Sequence, residues 1–337
     1  MRIAQVATLA TPVRQEGSGS IEHLVWLLTR DLTALGHDVT VFAAPGSQSA
    51  GQTVAALPGT YAEGGAPGDW QFCESENVAA AVAAAAVGKF DVIHSHAYLW
   101  GLPLQRLSPV PLVHTLHTWV SDDHVLMRRL HPTATVVGIS DYQWSAWPQD
   151  PPTAVVRHGV DVELPDPVPA EPYLLWLGRF LPDKGPVEAI EVARELGMPL
   201  HLAGPADSWY NGLVRPHVDG RTVIYDGFVS GAAKHRLLAR AAAVLYPVRT
   251  LEPFGLVLAE AAVRGVPVAA LAKGAVPELV QDGVTGHLSP SRDTLAGAVH
   301  GALQLDRAAV AAAGRRRFSS HRMAREYAQV FAAAVRR

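Results

Sequence analysis

Short, almost wholly apolar, β-branched runs recur along this chain with helical patterns between them, and that alternation constrains its fold more than any other feature. In the first half the runs are RIAQVAT (2–8), DVTVFAA (38–44), FDVIHSH (90–96), PLVHTLH (111–117), ATVVGIS (134–140) and TAVVRHG (153–159). Strands with apolar residues on both faces belong to parallel sheets covered on both sides. The stretch SIEHLVWLLTRDLTALG (20–36) places Leu24, Leu27, Leu28, Leu32 and Leu35 near the 3.6-residue period and ends at Gly36, as an amphipathic helix does. Strand and helix in alternation give an α/β chain of doubly wound, Rossmann-like layers.

The pattern is interrupted once and then resumes. ELPDPVPAEPY (163–173) carries four prolines and reads as an extended linker. Beyond it come YLLWLGR (173–179), PLHLAG (199–204), RTVIYDG (221–227), AAVLYPV (242–248) and PVAAL (267–271). A chain of 337 residues exceeds what one core usually holds, so two domains are expected, residues 1–165 and 166–319. The tail FSSHRMAREYAQVFAAAVRR reads as a terminal helix. Ligands of such sheets bind beyond the carboxyl ends of the strands, and the cleft between two such domains is the natural active site.

Composition excludes several classes. With a net charge of −3 and no long basic block, nucleic-acid binding is not expected. The run Arg315, Arg316, Arg317 reads as a solvated helix face. The single cysteine, Cys73, excludes an internal disulfide and a multi-cysteine metal site. The N-terminus reads as a strand rather than a signal peptide, and no run reaches about 18 uninterrupted apolar residues. A cytoplasmic protein without integral membrane association is expected; a homodimer is compatible with this reading.

Polar residues gather where strands stop. His94, His96 and His117 end two of them; GRFLPDKG (178–185) brings Arg179 and Lys184 after another. Arg offers a fork to phosphate oxygens and Lys a mobile charge, so this pair suits a diphosphate without a metal. GSGS (17–20) lets a ligand approach backbone but is neither a dinucleotide fingerprint nor a P-loop. No H-E-x-x-H accompanies the fifteen histidines, and no metal site is expected. His94 reads as core and His96 as cleft lining. Ser121 reads as a helix cap. Glu252 and Glu260, in EPFGLVLAE, stand eight positions apart, which on a helix is about 12 Å along one face. That exceeds the roughly 5–9.5 Å of two carboxylates flanking one glycosidic bond and suits two ends of one long ligand.

These motifs resemble the retaining glycosyltransferases of family four, which have the GT-B architecture. The resemblance rests on GSIE (19–22), GHDVTVF (36–42), FDVIHSH, HTLH (114–117), HGVD (158–161), LGRFLPDKG (177–185), LAGPAD (202–207), GFVS (227–230), EPFGLVLAEAAVRGVPV (252–268) and AVPELVQDGVTG (275–286), in the family's order over nearly the whole chain. It departs at Ser20, His158 and Ala275, where the common residues are Gly, Asn and Gly.

The resemblance implies that Glu252 lies by the donor sugar and Glu260 holds the ribose of a nucleoside diphosphate sugar. Arg179 and Lys184 take the diphosphate, with Gly19 and Ser20 beneath it from the N-terminal domain. Phe254, Gly255 and Leu256 present backbone N–H groups. His117 contacts the donor sugar near the reacting carbon, and residues 320–337 return to the first domain. Glu252, His117, Arg179 and Lys184 are then the catalytic set, the donor is a UDP-sugar first and GDP-mannose second, and no cofactor is needed beyond the sugar nucleotide. A small-molecule or carbohydrate acceptor is expected in the N-terminal domain at Trp100, Trp119 and Asp122. The rival readings are a nucleotide-sugar 2-epimerase on the same architecture and a non-catalytic nucleotide-sugar-binding protein.

Overall fold

In the computed structural model, residues 1–16, 19–61, 64–65, 68–162 and 167–337 are described. Among the described residues there are thirteen strands: β1 Arg2–Val6, β2 Asp38–Phe42, β3 Gln52–Val54, β4 Val92–Ser95, β5 Leu112–Thr115, β6 Thr135–Gly138, β7 Ala154–Val155, β8 Leu174–Leu177, β9 Leu200–Ala203, β10 Val223–Gly227, β11 Ala243–Tyr246, β12 Val268–Leu271 and β13 Gly286–Ser289. The helices are α1 Ser20–Ala34, α2 Trp70–Ala86, α3 Asp122–Leu130, α4 Pro186–Leu196, α5 Gly231–Arg240, α6 Leu256–Val263, α7 Val276–Leu279, α8 Leu295–Ala302, α9 Arg307–Phe318 and α10 Ser320–Val335.

The strands form two sheets, ordered β3-β2-β1-β4-β5-β6-β7 and β10-β9-β8-β11-β12-β13, parallel throughout. Each has the reversal of order that defines a doubly wound sheet. In the first, Ile3 registers with both Val39 and Val92, and Val78, Ala81 and Val82 of α2 close one face over Val6, Phe42 and Ile93. In the second, Ile190 and Ala193 of α4 and Leu295 and Val299 of α8 pack with Leu174, Trp176 and Leu202. Two strands go beyond the sequence reading, β3 and β13.

Backbone contacts divide the chain into two compact units, Met1–Gly159 with Ser320–Arg337, and Val160–Ser319. The division falls at Gly159; the expected junction at 165/166 lies outside the described residues, as do Gly17 and Ser18. Helix α10 spaces Met323, Ala324, Tyr327, Phe331 and Ala334 along one buried face. Tyr327 and Phe331 are fully buried against His94, with ring centroids 4.6 and 5.1 Å away. Each such burial contributes about 1.5–3 kcal/mol, which ties the end of the chain to the first unit. No helix among the described residues is long and apolar enough to cross a membrane.

Candidate active site

In the second unit the site begins where β8 leaves the core. Trp176 is buried and stacks on Phe180 at 5.0 Å, and its Nε1 donates to the Lys184 carbonyl at 3.1 Å. Pro182–Lys184 form one tight turn that ends at Gly185, whose φ is +72°. A Cβ there would stand 2.3 Å from the Pro247 carbonyl oxygen, so only glycine lets this loop close onto the exit of β11. Pinned in this way, Lys184 directs its ammonium onto the Glu252 carboxylate, and the two side chains are each 19% exposed. Arg179, by contrast, is exposed, with its carbonyl accepting from Leu181 N–H at 2.8 Å.

Glu252 is not on a helix. Helix α6 starts only at Leu256, after Pro253 and after Gly255 with φ +96°, so the expected two-turn helical face joining Glu252 to Glu260 does not exist. The loop is held from the other side. Ala275 N–H donates to the Glu252 carbonyl at 3.0 Å, and Gly274, at φ +61°, lies so close that a Cβ would meet the Glu252 nitrogen at 2.6 Å. Glu260 sits in α6, where Lys234 of α5 donates to its Oε1 at 2.7 Å. Each carboxylate of the E-x7-E pair therefore carries its own lysine. Phe254 is buried against Phe318, ring centroids 6.4 Å apart, so its ring is core and only its backbone is available. Leu256 opens α6, whose N-terminus has no side-chain cap and keeps its leading N–H groups for an anion. The Tyr246 hydroxyl lies under Gly255; burial first, then the Glu252 charge, raises its pKa well above the ordinary phenol value.

In the first unit the polar residues follow β1, β4 and β5. Glu22 of α1 accepts from the Thr8 hydroxyl at 2.7 Å, and burial raises its pKa above the usual carboxylate value. A Cβ on Gly19 would stand 2.0 Å from Glu22 Oε2, so any larger residue there would push the Glu22 carboxylate aside. Ser20 is exposed at the first position of α1.

His117 lies within a chain of rings. Gln5 Oε1 meets His96 Nε2 at 2.9 Å, His96 Nδ1 meets His117 Nε2 at 2.9 Å, and His117 Nδ1 meets His158 Nε2 at 3.4 Å. With Gln5 Oε1 accepting, His96 is protonated on Nε2, His117 then donates from Nε2, and His158 donates into His117 Nδ1: one acceptor fixes three tautomers. Burial drives His117 down to about 3 and His96 and His158 well below the usual imidazole range, so all three are neutral near pH 7. Gln143 Nε2 donates to the carbonyls of Leu116 and Thr118 at 2.8 and 2.6 Å, which fixes the backbone on either side of His117. His96, expected to line the cleft, is instead 2% exposed and lies behind His117. His94, as expected, is core, with Nε2 2.8 Å from the Thr115 hydroxyl. No group of three or more His, Cys, Asp or Glu among the described residues could hold a metal ion.

The residues expected around an acceptor have different ring neighbours. Trp100 joins Trp70 at 5.8 Å, whereas Trp119 packs edge-on against Tyr142 at 6.1 Å. Asp122 is exposed in the first turn of α3, which Ser121 caps as expected. Lys234, Tyr246, His158 and Gln143 were not among the expected site residues. Lys234 lies in KHRLLAR, which reads like any solvated basic helix.

Two doubly wound parallel units, each gathering polar side chains at the carboxyl ends of its strands, define a glycosyltransferase of the GT-B architecture once the known proteins are set beside it. The family described as Glycosyltransferase Family 4 matches residues 21–164, and Glycosyl transferases group 1 matches residues 166–317. A glycogen synthase of Mycobacterium tuberculosis is 32% identical over 73% of this chain and 69% of its own length. A D-inositol 3-phosphate glycosyltransferase of Corynebacterium efficiens is 26% identical over 87% of this chain and 84% of its own. Among solved structures, AviGT4, a glycosyltransferase involved in avilamycin A biosynthesis, superposes with a TM-score of 0.77 at 24% identity, covering 99% of this chain and 98% of that one. Anabaena HepE in complex with UDP and glucose gives a TM-score of 0.71 at 20% identity, covering 99% of this chain and all of that one. The chain belongs to the family 4, group 1 glycosyltransferases.

Proposed function

We propose that this glycosyltransferase moves a hexosyl unit from a nucleoside diphosphate sugar, a UDP-sugar first and GDP-mannose second, to a hydroxyl of a small acceptor with retention at the anomeric carbon. The observation that carries the reading is the Lys184–Glu252 pair, held on two loops that close only because Gly185 and Gly274 lack a Cβ. An incoming diphosphate draws Lys184 away from Glu252. Lys184 and the exposed Arg179 then neutralise the phosphates, and Glu252 is released to a sugar hydroxyl. Glu260 takes the ribose hydroxyls, and the N-terminus of α6 adds backbone donors. The anomeric C–O bond to phosphate breaks as the acceptor oxygen bonds on the same face, and the acceptor proton passes to the leaving phosphate oxygen. Stabilising that developing charge is the largest catalytic contribution, and it needs no metal with these side chains in place. His117 contributes as a neutral, fixed imidazole at the donor sugar. The HepE complexes, with UDP and with UDP-glucose, support uridine as the first base to test.

The test is thermal unfolding with UDP, GDP, ADP and their sugar conjugates in metal-free buffer. A ligand at about 100 times its Kd adds roughly 2.7 kcal/mol. One base should raise the midpoint, Lys184→Ala should abolish the effect and Glu260→Ala should weaken it. Released nucleoside diphosphate in the presence of an acceptor then separates transfer from binding alone. No shift with any nucleotide would overturn the proposal.

A further inference from the structure

The loop that carries Glu252 and the turn that carries Lys184 are joined by more than their own ion pair. Residues 247–252 follow directly on β11, and Arg249 stands three positions before Glu252. Its backbone N–H donates to the Asp183 carbonyl at 2.8 Å. Its guanidinium then forks: Nη2 donates to the Pro182 carbonyl at 2.8 Å, and Nη1 stands 3.0 Å from Glu188 Oε1. Glu188 lies in the first turn of α4, which starts directly after Gly185. One residue of the Glu252 loop thus holds the Pro182–Lys184 turn and the helix that continues it.

The turn is gripped from two sides. Trp176 Nε1 holds the Lys184 carbonyl, Gly185 lies against the Pro247 carbonyl, and Arg249 holds the two residues before Lys184. Where the Lys184 ammonium stands relative to Glu252 therefore follows from how the turn and the loop are aligned. The Lys184–Glu252 pair cannot keep that alignment through the proposed reaction, because the diphosphate draws Lys184 away. An exposed ion pair by itself contributes little. A guanidinium that reaches a carbonyl and a carboxylate at once is different, since its planar fork fixes two directions together, and the point charge of a lysine cannot do so.

We propose that Arg249 is a positioning residue of the transfer reaction, a clamp that keeps Lys184 and Glu252 aligned after the diphosphate has parted them. This rests on the transferase reading above and adds the residue that holds its two charged groups in place. Arg249 acts through Lys184 and touches neither phosphate nor sugar. Its backbone bond to Asp183 survives a change of side chain, so Arg249→Met loosens the clamp without releasing the loop.

The first arm of the test needs no nucleotide. The chain has four lysines, Lys89, Lys184, Lys234 and Lys273, so carbon-13 dimethylation gives a lysine NMR spectrum simple enough to assign by substitution. In the ligand-free chain, Arg249→Met should move the Lys184 signal toward its position in Glu252→Gln, where the pair is broken, and leave the Lys234 signal in place. The second arm is calorimetric titration with UDP and GDP. Arg249→Met should weaken the nucleotide that binds about tenfold, with an unchanged urea midpoint, and Arg249→Lys should recover little of the loss. An unmoved Lys184 signal would overturn the proposal whichever nucleotide binds. Full affinity in Arg249→Lys would overturn it too, because charge at the phosphate would then suffice. A moved signal in a wild-type chain that binds neither nucleotide would instead sink the donor reading, and the clamp's part in the reaction with it.

Discussion

At the scale of single residues, the second unit pairs each carboxylate of its E-x7-E motif with a lysine, and the two pairs have different consequences. Lys184–Glu252 is a latch that the proposed diphosphate opens. Lys234–Glu260, at 2.7 Å, fixes the orientation of the carboxylate that the proposed reading gives to the ribose. A charge-assisted hydrogen bond of this kind contributes about 1.5–3 kcal/mol when largely desolvated, and at 24% and 15% side-chain exposure the lower end applies. Lys234→Met is therefore expected to weaken the nucleoside diphosphate about tenfold and its 2′-deoxy analogue by less. Isothermal titration with both ligands checks this, and equal losses would show that Lys234 serves the fold rather than the ribose. A sequence could show the glutamates, because their spacing is local. It could not show Lys234, because a basic residue on an exposed-looking helix carries no mark of its partner 26 positions on. The ring chain is hidden for the same reason: Gln5, His96, His117 and His158 are contributed by four separate strand ends, and no spacing links them.

At the scale of elements, the apolar runs made eleven strands legible, since they are rich in Val, Ile or Leu and most are buried on both faces. Strand β3, Gln52–Val54, is exposed along its length, and β13 reads Gly-His-Leu-Ser; neither has a core-facing run to betray it, and both are edge strands. The helical reading of the E-x7-E stretch failed at Pro253 and Gly255, where local backbone chemistry overrides an otherwise helical sequence. The loops that present the site depend on two glycines in different ways. Gly185→Ala adds left-handed strain and a Cβ 2.3 Å from the Pro247 carbonyl, between a loop and the sheet exit. It is expected to cost about 2–4 kcal/mol of stability, read as a lower urea midpoint. Gly274→Ala presses instead on the Glu252 backbone, in the loop that carries the carboxylate. It is expected to cost about 1–2 kcal/mol while lowering kcat by 10²-fold or more, because a displacement of about 1 Å at a reacting centre has that effect. Equal stability losses with full activity in Gly274→Ala would remove Glu252 from the reaction.

At the scale of the whole molecule, the two units differ in how they respond to acid. His94, His96, His114, His117 and His158 all belong to the unit Met1–Gly159 with Ser320–Arg337, and burial lowers every one of them from the ordinary value of 6.5. The folded unit therefore binds fewer protons than the unfolded chain below pH 6.5, so stability is full above that pH and declines as pH falls toward the lowered folded values, about 3 for His114 and His117. One such histidine costs about 1.4 kcal/mol at one pH unit below its unfolded value, and five set a ceiling of about 7 kcal/mol. The buried carboxyls oppose this. Glu74, raised to about 7 from 4.5, returns about 2 kcal/mol between pH 7.5 and 5.5, and Glu22 shifts in the same direction. Five groups outweigh two, so the first unit is expected to lose several kcal/mol over that interval while Val160–Ser319, which holds none of these histidines, loses far less. Urea unfolding at the two pH values, with peptides resolved by a hydrogen-exchange pulse at one fixed pH, would measure each unit separately. At pH 5.5 peptides from residues 90–117 should open at lower urea than those from 174–203. If both sets moved together, the buried histidines would not be neutral in the folded protein, and the tautomer order running from Gln5 to His158 would fall with them.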